Sequence, residues 1–140
     1  MPQILELIED DHDLIRVLFN EIEHDPKSRD VRCITLHREL LAHLIAEEAT
    51  LYLRLREVAP EEVEVSLDEH VTIRERLERF EVLPEGDEAW MEALADLRDW
   101  VEGHFAQEED NIFAWARHYL SRSDLFALGR VFEKEKEAIA

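Results

Sequence analysis

The sequence predicts an all-α protein, an up-down-up-down four-helix bundle followed by a short C-terminal fifth helix. Its 140 residues include only three glycines and four prolines, which favours long helices joined by few turns. Apolar residues recur at intervals of three and four, the spacing of a helix with one buried face. We expect one domain over residues 1–140, with the bundle at about 2–119 and the last helix at about 123–138.

The first two helices are delimited by prolines and by turn residues. Pro2 opens the first helix, and the segment 24–28, His-Asp-Pro-Lys-Ser, ends it. The second helix is predicted from about Arg29 to about Val58, because Pro60 stops it. The connecting segment is short, so these two helices are expected to pack antiparallel as neighbours.

The third helix has two candidate starting points. Ser66 and Glu69 have the spacing of a capping box, in which each side chain binds the backbone N–H of the other residue, so the helix starts there at the latest. Pro60 is the alternative first residue, since proline is favoured in the first turn. The segment 83–87, Leu-Pro-Glu-Gly-Asp, is a turn that follows this helix.

The last two helices also have recognisable starts. Asp87 is predicted to cap the fourth helix, which reaches about Tyr119. Residues 121–124, Ser-Arg-Ser-Asp, begin the C-terminal helix, whose apolar residues have helical spacing. We expect this helix to pack across the bundle and its tail to fray from Glu133 onward.

An unusual pattern occurs twice. Residues 43–52 and 104–113 both read H-x-x-x-E-E-x-x-aliphatic-aromatic, and each copy follows a single histidine in an acidic context, D-D-H-x-x-I-R or D-E-H-x-x-I-R. The helical periodicity places six polar residues of this repeat on the buried stripes, at similar heights in an antiparallel bundle. They are His12, His43, Glu47, His70, His104 and Glu108. One buried histidine is commonly a hydrogen-bonded core residue, but six such groups at one depth would cost several kcal/mol unless something positive lies among them.

The residue types and spacing predict a metal centre. On a helix, residues i and i+4 share a face about 6 Å apart, so each H-x-x-x-E directs an imidazole and a carboxylate toward one site. Four imidazoles and two carboxylates exceed the needs of one tetrahedral zinc ion, but they suit two divalent ions about 3.5–4 Å apart with bridging carboxylates. With an oxide or hydroxide bridge, each ion would have five ligands and one position open to a small diatomic molecule or peroxide. Iron or manganese suits these ligands, and spacing alone does not exclude zinc.

The order H … H-x-x-x-E … H … H-x-x-x-E resembles the hemerythrin-like (HHE cation-binding) domain family over roughly residues 1–120. The resemblance implies a non-haem di-iron centre inside a four-helix bundle. It further implies the ligand set: His12 and His43 on one iron, His70 and His104 on the other, and Glu47 and Glu108 as bridges.

Two departures from the family pattern bear on function. The oxygen carriers of the family have a fifth histidine four residues after the third-helix histidine, and Arg74 stands there in this sequence. They also space the last carboxylate five residues after its histidine, whereas Glu108 follows by four. An arginine has no lone pair to donate, so we predict that the protein is not a reversible O2 carrier. Glu48 and Tyr52 are the candidates for a substitute ligand.

Charge and composition narrow the function classes. The net charge of −19 disfavours binding to nucleic acid and to anionic membranes. The sequence has no run of about 18 apolar residues, and a single cysteine, Cys33, fits a reducing compartment, so a soluble cytoplasmic protein is expected. The leading hypothesis is a di-iron protein that binds or reacts with O2, nitric oxide or peroxide in sensing, detoxification or catalase-like turnover. The alternatives are a non-enzymatic iron sensor or reservoir and an acidic helical interaction module.

Three further histidines lie outside this pattern. His24, His37 and His118 fall outside the buried stripes and are predicted to lie on the surface. Arg16 and Arg74 end the two single-histidine motifs, at matching places in the repeat. Either they are surface residues, or they support the predicted ligand acids from outside the centre.

Overall fold

The computed structural model describes residues 2–139, and within that range the regular structure is helical, as predicted. Met1 and Ala140, the two ends of the predicted domain, lie outside the described residues. No helix in the described range combines the length and the apolar character needed to cross a bilayer. The helices are α1 (Ile4–His24), α2 (Arg29–Glu47), α3 (Leu53–Leu55), α4 (Pro60–Glu81), α5 (Glu88–Gln107), α6 (Phe113–Tyr119) and α7 (Arg122–Ile139).

Two of the bundle rods contain a short π-helical segment that the sequence did not predict. Residues Glu48–Tyr52 join α2 to α3, and residues Glu108–Ile112 join α5 to α6. Each rod therefore continues without a break, and each π-helical segment contains residues of the E-E pair of its repeat. The wider π turn is rare and is found mostly at functional sites. It allows two side chains five residues apart to face the bundle axis together.

The helix starts follow local chemistry. Asp87 caps α5 as predicted, its side chain accepting from the backbone N–H of Ala89 at 3.1 Å. Helix α4 begins at Pro60, the earlier of the two predicted starting points, so Ser66 does not cap it. Ser66 lies inside α4, fully buried, and its hydroxyl donates to Gln107 at 3.3 Å. The second rod ends at Leu55 rather than near Val58.

The C-terminal helix has nearly the predicted bounds and is better anchored than predicted. Helix α7 has 18 residues and remains helical to Ile139, so the expected fraying from Glu133 is wrong. Phe132 is buried, and Lys136 binds Asp11 of α1, which holds the last turns against the bundle. A side chain at Gly129 would lie 3.1 Å from the backbone nitrogen of Ile4, so α7 approaches the start of α1 closely.

The bundle core consists of two apolar clusters separated by a polar layer. One cluster lies toward the α1–α2 and α4–α5 turns and is centred on residues such as Phe19, Leu40 and Leu97. The other lies toward α3, α6 and α7 and includes Ile8 and Ile112. The predicted polar residues fall between these clusters, about halfway along their rods, where neither end of the bundle exposes them.

Candidate metal centre

Six side chains of the polar layer form a compact group, which we call the inner cluster. All six are buried, none exposing more than 1 % of its surface. Their potential ligand atoms form two groups of four, and within each group all atoms lie within 4.8 Å of one another. The groups are His12, His43, Glu47 and Glu108, and Glu47, His70, His104 and Glu108. The structure thus brings together every residue that the repeat singled out, in the two histidine pairs with shared glutamates that the resemblance implied.

Each glutamate of the inner cluster contacts one histidine from each group. Glu47 Oε1 lies 3.2 Å from Nε2 of His43 and 3.2 Å from Nε2 of His70. Glu108 is 3.0 Å from Nε2 of His12 and 3.6 Å from Nε2 of His104. The two carboxylates therefore span the two histidine pairs.

Several atoms of the inner cluster have no hydrogen-bond partner among residues 2–139. They are Nε2 of His12, Nε2 of His43, both side-chain oxygens of Glu47, and Oε1 of Glu108. Buried polar atoms are almost always paired in folded proteins, and leaving one unpaired costs roughly 1–3 kcal/mol. In addition, Nε2 of His70 faces Nε2 of His104 at 3.0 Å. Lone pairs from nitrogen and carboxylate oxygen converge here, which is the donor set that divalent cations take, so the residues fit a metal centre.

Four acids, which we call the outer acids, hold the far sides of the histidine rings. In each case the ring Nδ1–H donates to a carboxylate, which leaves Nε2 directed at the inner cluster. The pairs are His12 with Glu109 at 2.6 Å, His43 with Asp11 at 2.8 Å, His70 with Glu48 at 2.6 Å, and His104 with Glu69 at 2.8 Å. Metal-binding histidines are commonly oriented in this way, and every histidine of the inner cluster has such a partner.

The outer acids were missed by the sequence interpretation, although the repeat contains them. Asp11 and Glu69 directly precede the single histidines, and Glu48 and Glu109 are the second members of the two E-E pairs. Because each lies one residue away from the buried stripe, helical periodicity alone marks it as a surface residue. Glu48 is not a substitute metal ligand in this structure, since it binds the outer side of His70.

Three of the four outer acids each bind a cationic side chain. Arg74 donates to both oxygens of Glu48, at 2.8 and 3.1 Å, and Arg16 donates to Glu109 at 3.4 Å. Neither arginine contacts the predicted ligand acids Glu47 and Glu108, so both pair instead with the acids next to those ligands. The third cation is Lys136, whose Nζ lies 2.6 Å from Asp11.

Charge interactions shift the titration of the buried groups. Burial lowers the pKa of His43, but the charge of Glu47 and the hydrogen bond to Asp11 outweigh it and raise that pKa to about 10. Burial likewise lowers the pKa of His104, but the nearby Glu47 carboxylate and the hydrogen bond to Glu69 outweigh it and raise that pKa to about 10. Two buried carboxylates at close range do not ionise equally. Burial raises the pKa of Glu47, but the charge of His43 brings it well below its usual value, whereas burial and the charge of Glu47 raise the pKa of Glu108.

Tyr52 makes the two halves of the centre chemically different. Its buried hydroxyl donates to Glu108 and lies 3.3 Å from Nε2 of His70 and 3.5 Å from Nε2 of His104. Burial and the charge of Glu108 raise the pKa of this phenol well above its ordinary value, so it remains a donor. The equivalent residue of the second repeat is Phe113, which is also buried but has no hydroxyl.

The remaining three histidines lie away from the inner cluster. His37 is exposed on α2 and its Nδ1 is 2.6 Å from Glu81. His24 is the last residue of α1 rather than part of the turn, and His118 is exposed near the end of α6. None of the three belongs to either group of potential ligands within the described residues.

A four-helix bundle with a buried histidine and carboxylate layer defines a class of helical cation-binding proteins. The chain matches the family model for the hemerythrin HHE cation-binding domain over residues 3–116, and it belongs to that family. A solved structure of a hemerythrin HHE cation-binding domain-containing protein from Mycobacterium kansasii has the same fold, with a TM-score of 0.91 over 99 % of this chain and 88 % of that chain. Sequence identity to that protein is 20 %.

Two curated relatives are similar in sequence. The chain is 28 % identical over 139 residues to a Nostoc protein that is named DNA nickase. This alignment covers 97 % of this chain and 40 % of the Nostoc protein. The chain is 24 % identical over 105 residues to an uncharacterized hemerythrin-like protein of Schizosaccharomyces pombe, covering 72 % of this chain and 52 % of the relative. The chain thus spans about half or less of the length of these two proteins.

Proposed function

We propose that the inner cluster holds two divalent metal ions, with iron preferred, and that the centre binds or reacts with O2, nitric oxide or peroxide. The observation that carries this proposal is the set of unpaired Nε2 and carboxylate atoms buried between two apolar clusters. In metal-free protein the contacts between imidazoles and carboxylates offset the desolvation cost of these atoms only in part. Cations among them would remove that cost.

The contacts support the proposed ligand assignment. His12 and His43 would hold one ion and His70 and His104 the other, while Glu47 and Glu108 bridge, because each glutamate touches one histidine of each pair. Nitrogen and carboxylate donors without a thiolate suit iron or manganese. When bound, iron would supply redox chemistry toward small oxygen or nitrogen oxide ligands.

The remaining residues position the donors and control access. The outer acids fix each imidazole, so that Nε2 is the atom presented to the centre. The Tyr52 hydroxyl holds a proton beside Glu108 and two imidazoles, where it can donate a hydrogen bond to a small ligand. Tyr52 also lines a surface cavity of about 180 Å³, with Val63 and Leu67 on its apolar side. Because Tyr52 lines this cavity and also contacts Glu108, we propose the cavity as the side from which a small molecule approaches the centre.

A reversible oxygen-carrying function is not proposed. Arg74 stands where the carriers have a fifth histidine, and its guanidinium is engaged by Glu48 outside the inner cluster. A cation there cannot complete the coordination of an ion. In the metal-free protein the Tyr52 phenol is a hydrogen-bond donor to Glu108.

The test is metal analysis of the protein loaded anaerobically with ferrous iron. We expect two ions per chain, and a saturating ratio of one would contradict a dinuclear centre. Catalytic turnover of peroxide by the loaded protein separates a reactive centre from the second candidate, an iron sensor or reservoir. That candidate is favoured by the same buried site, since metal binding alone would stabilise the bundle. We propose no nucleic-acid function from the similarity to the protein named DNA nickase, because a net charge of −19 disfavours contact with phosphates.

A further inference from the structure

Helix α7 lies beyond residues 3–116, which the family model matches, yet it contacts the metal centre region. The ring of Phe132 packs edge-on against the ring of His43, with centroids 6.2 Å apart. Four residues later, Lys136 donates to Asp11 at 2.6 Å, and Asp11 accepts from Nδ1 of His43 at 2.8 Å. One face of α7 is thus linked to one imidazole of the inner cluster.

We propose that Lys136 is a positioning residue for the His12 and His43 half of the centre, and that this half depends on the docking of α7. The inference rests on the proposed function, since it concerns the strength of metal binding. Lys136 holds the Asp11 carboxylate, and Asp11 holds the His43 ring with Nε2 toward the inner cluster. Without Lys136, Asp11 would turn toward water and His43 would lose its fixed orientation.

The environment of this ion pair supports a structural role. The Lys136 and Asp11 side chains are only 19 % and 12 % exposed, so the pair is largely shielded from water. Loss of one partner from a shielded pair leaves the other charge uncompensated, which is far more costly than loss of a surface pair. Lys136 also lies 3.5 Å from Glu39, so it is the cation for two acids.

Lys136 breaks the two-fold pattern of the repeat. Arg16 and Arg74 occupy equivalent positions and bind equivalent outer acids, Glu109 and Glu48. The counterpart of Asp11 is Glu69, and within the described residues no lysine or arginine forms an ion pair with Glu69. The two halves therefore differ in their outer support, and the difference comes from α7.

The docking of α7 on the start of α1 requires a residue without a side chain at position 129. At Gly129 a Cβ would meet the carbonyl oxygen of Pro2 at 3.2 Å and the backbone nitrogen of Ile4 at 3.1 Å. Such backbone neighbours cannot move aside as a flexible side chain would. Gly129, Phe132 and Lys136 thus form one contact face, which connects the start of α1 with the metal centre.

The test compares Lys136→Met with Lys134→Met in the full chain. Lys134 is exposed on the same helix, so both variants lose one positive charge. Calorimetric titration with Mn²⁺ should show two ions for the wild-type protein and for Lys134→Met. Lys136→Met should lose about tenfold or more in affinity at one of the two sites, the usual cost of removing an outer partner of a ligand. Lys136→Arg should restore most of it.

A double-mutant cycle assigns the weakened site. Lys136→Met combined with Asp11→Asn should be non-additive because both act through His43, whereas its combination with Glu69→Gln should be additive. Equal affinities of Lys136→Met and Lys134→Met at both sites would overturn the proposal.

A measurement on metal-free protein tests the role of Lys136 independently of the proposed function. In metal-free protein, NMR should show that the Nδ1–H proton of His43 exchanges at least about tenfold faster in Lys136→Met than in Lys134→Met, as expected when a hydrogen bond opens more often. Equal exchange rates would refute the positioning role. A wild-type protein that binds no metal would contradict the proposed function, while this exchange result would still decide the role of Lys136. Circular dichroism of both variants checks that they are folded.

Discussion

Metal binding should release protons, because two ligands of the inner cluster are held in their charged form. In the metal-free protein, the pKa values of His43 and His104 are raised to about 10, so both rings carry an extra proton near pH 7. A metal ion binds the neutral imidazole nitrogen, so each ion must displace one of these protons. We therefore expect two protons to be released when two ions bind.

The size of the effect follows from linkage. Release of one proton per ion makes each binding constant rise about tenfold per pH unit, as long as the pH stays below the raised pKa. Between pH 6.5 and 8.5, the affinity of each site should therefore rise about 100-fold. The stability of the metal-free fold should instead fall as the pH rises. The contribution of the two charged rings is fully present below about pH 6.5 and is lost as the pH rises toward about 10.

Calorimetry with Mn²⁺ in two buffers of different ionisation enthalpy measures the proton count directly. His37→Ala is the matched control, because His37 is exposed and lies outside the inner cluster. It should release the same number of protons as the wild-type protein. Affinities that do not change between pH 6.5 and 8.5, with no buffer-dependent heat, would refute the reasoning.

Three further outcomes are expected. Glu47→Ala and Glu108→Ala should each lower the metal content from two ions to one or none, since each removes a carboxylate shared by both histidine pairs. Elemental analysis measures this content, and His37→Ala should leave it unchanged. Equal loss in all three variants would contradict the ligand assignment. A chelator should lower the melting temperature by at least about 5 °C, because binding free energy adds to folding free energy, and an unchanged melting curve would show that the fold does not depend on metal. Stopped-flow mixing of the ferrous protein with O2 should give rapid oxidation, because Arg74 replaces the fifth histidine; a stable oxygen complex that reverses under vacuum would contradict this.

The sequence predicted the fold well because the main determinants are periodic. Apolar spacing and turn residues located the four bundle helices, and Asp87 was correctly identified as a cap. The inner cluster was found because its members interrupt apolar stripes with polar residues, and the structure does bring them together. The anchoring of the last turns of α7 was underestimated, since it depends on contacts of Phe132 and Lys136 with distant parts of the chain.

The hydrogen bonds between the outer acids and the histidines could not be predicted from the sequence. Glu48 supports His70 of α4 and not His43 of its own helix, while Asp11 supports His43 and not the adjacent His12. These pairings cross between neighbouring helices, so they depend on the rotation of each helix about its axis. The pattern of a single helix does not contain that information. The π-helical segments were missed for a similar reason, because their cause is the packing of the surrounding bundle and no residue type specifies them.

The π-helical segments impose a constraint on chain length. Glu47 and Tyr52 are five residues apart, and both point into the buried centre from one rod. In a regular α-helix, five residues correspond to a rotation of about 500°, which would place these side chains about 140° apart. Deletion of one residue between them, such as Ala49, would let the segment become a regular α-helix in which the two side chains are four residues and only about 40° apart. Insertion of one residue would instead turn the Tyr52 ring by about a further 100° away from the carboxylate. The centre is therefore expected to tolerate the loss of one residue from the segment more readily than the gain of one.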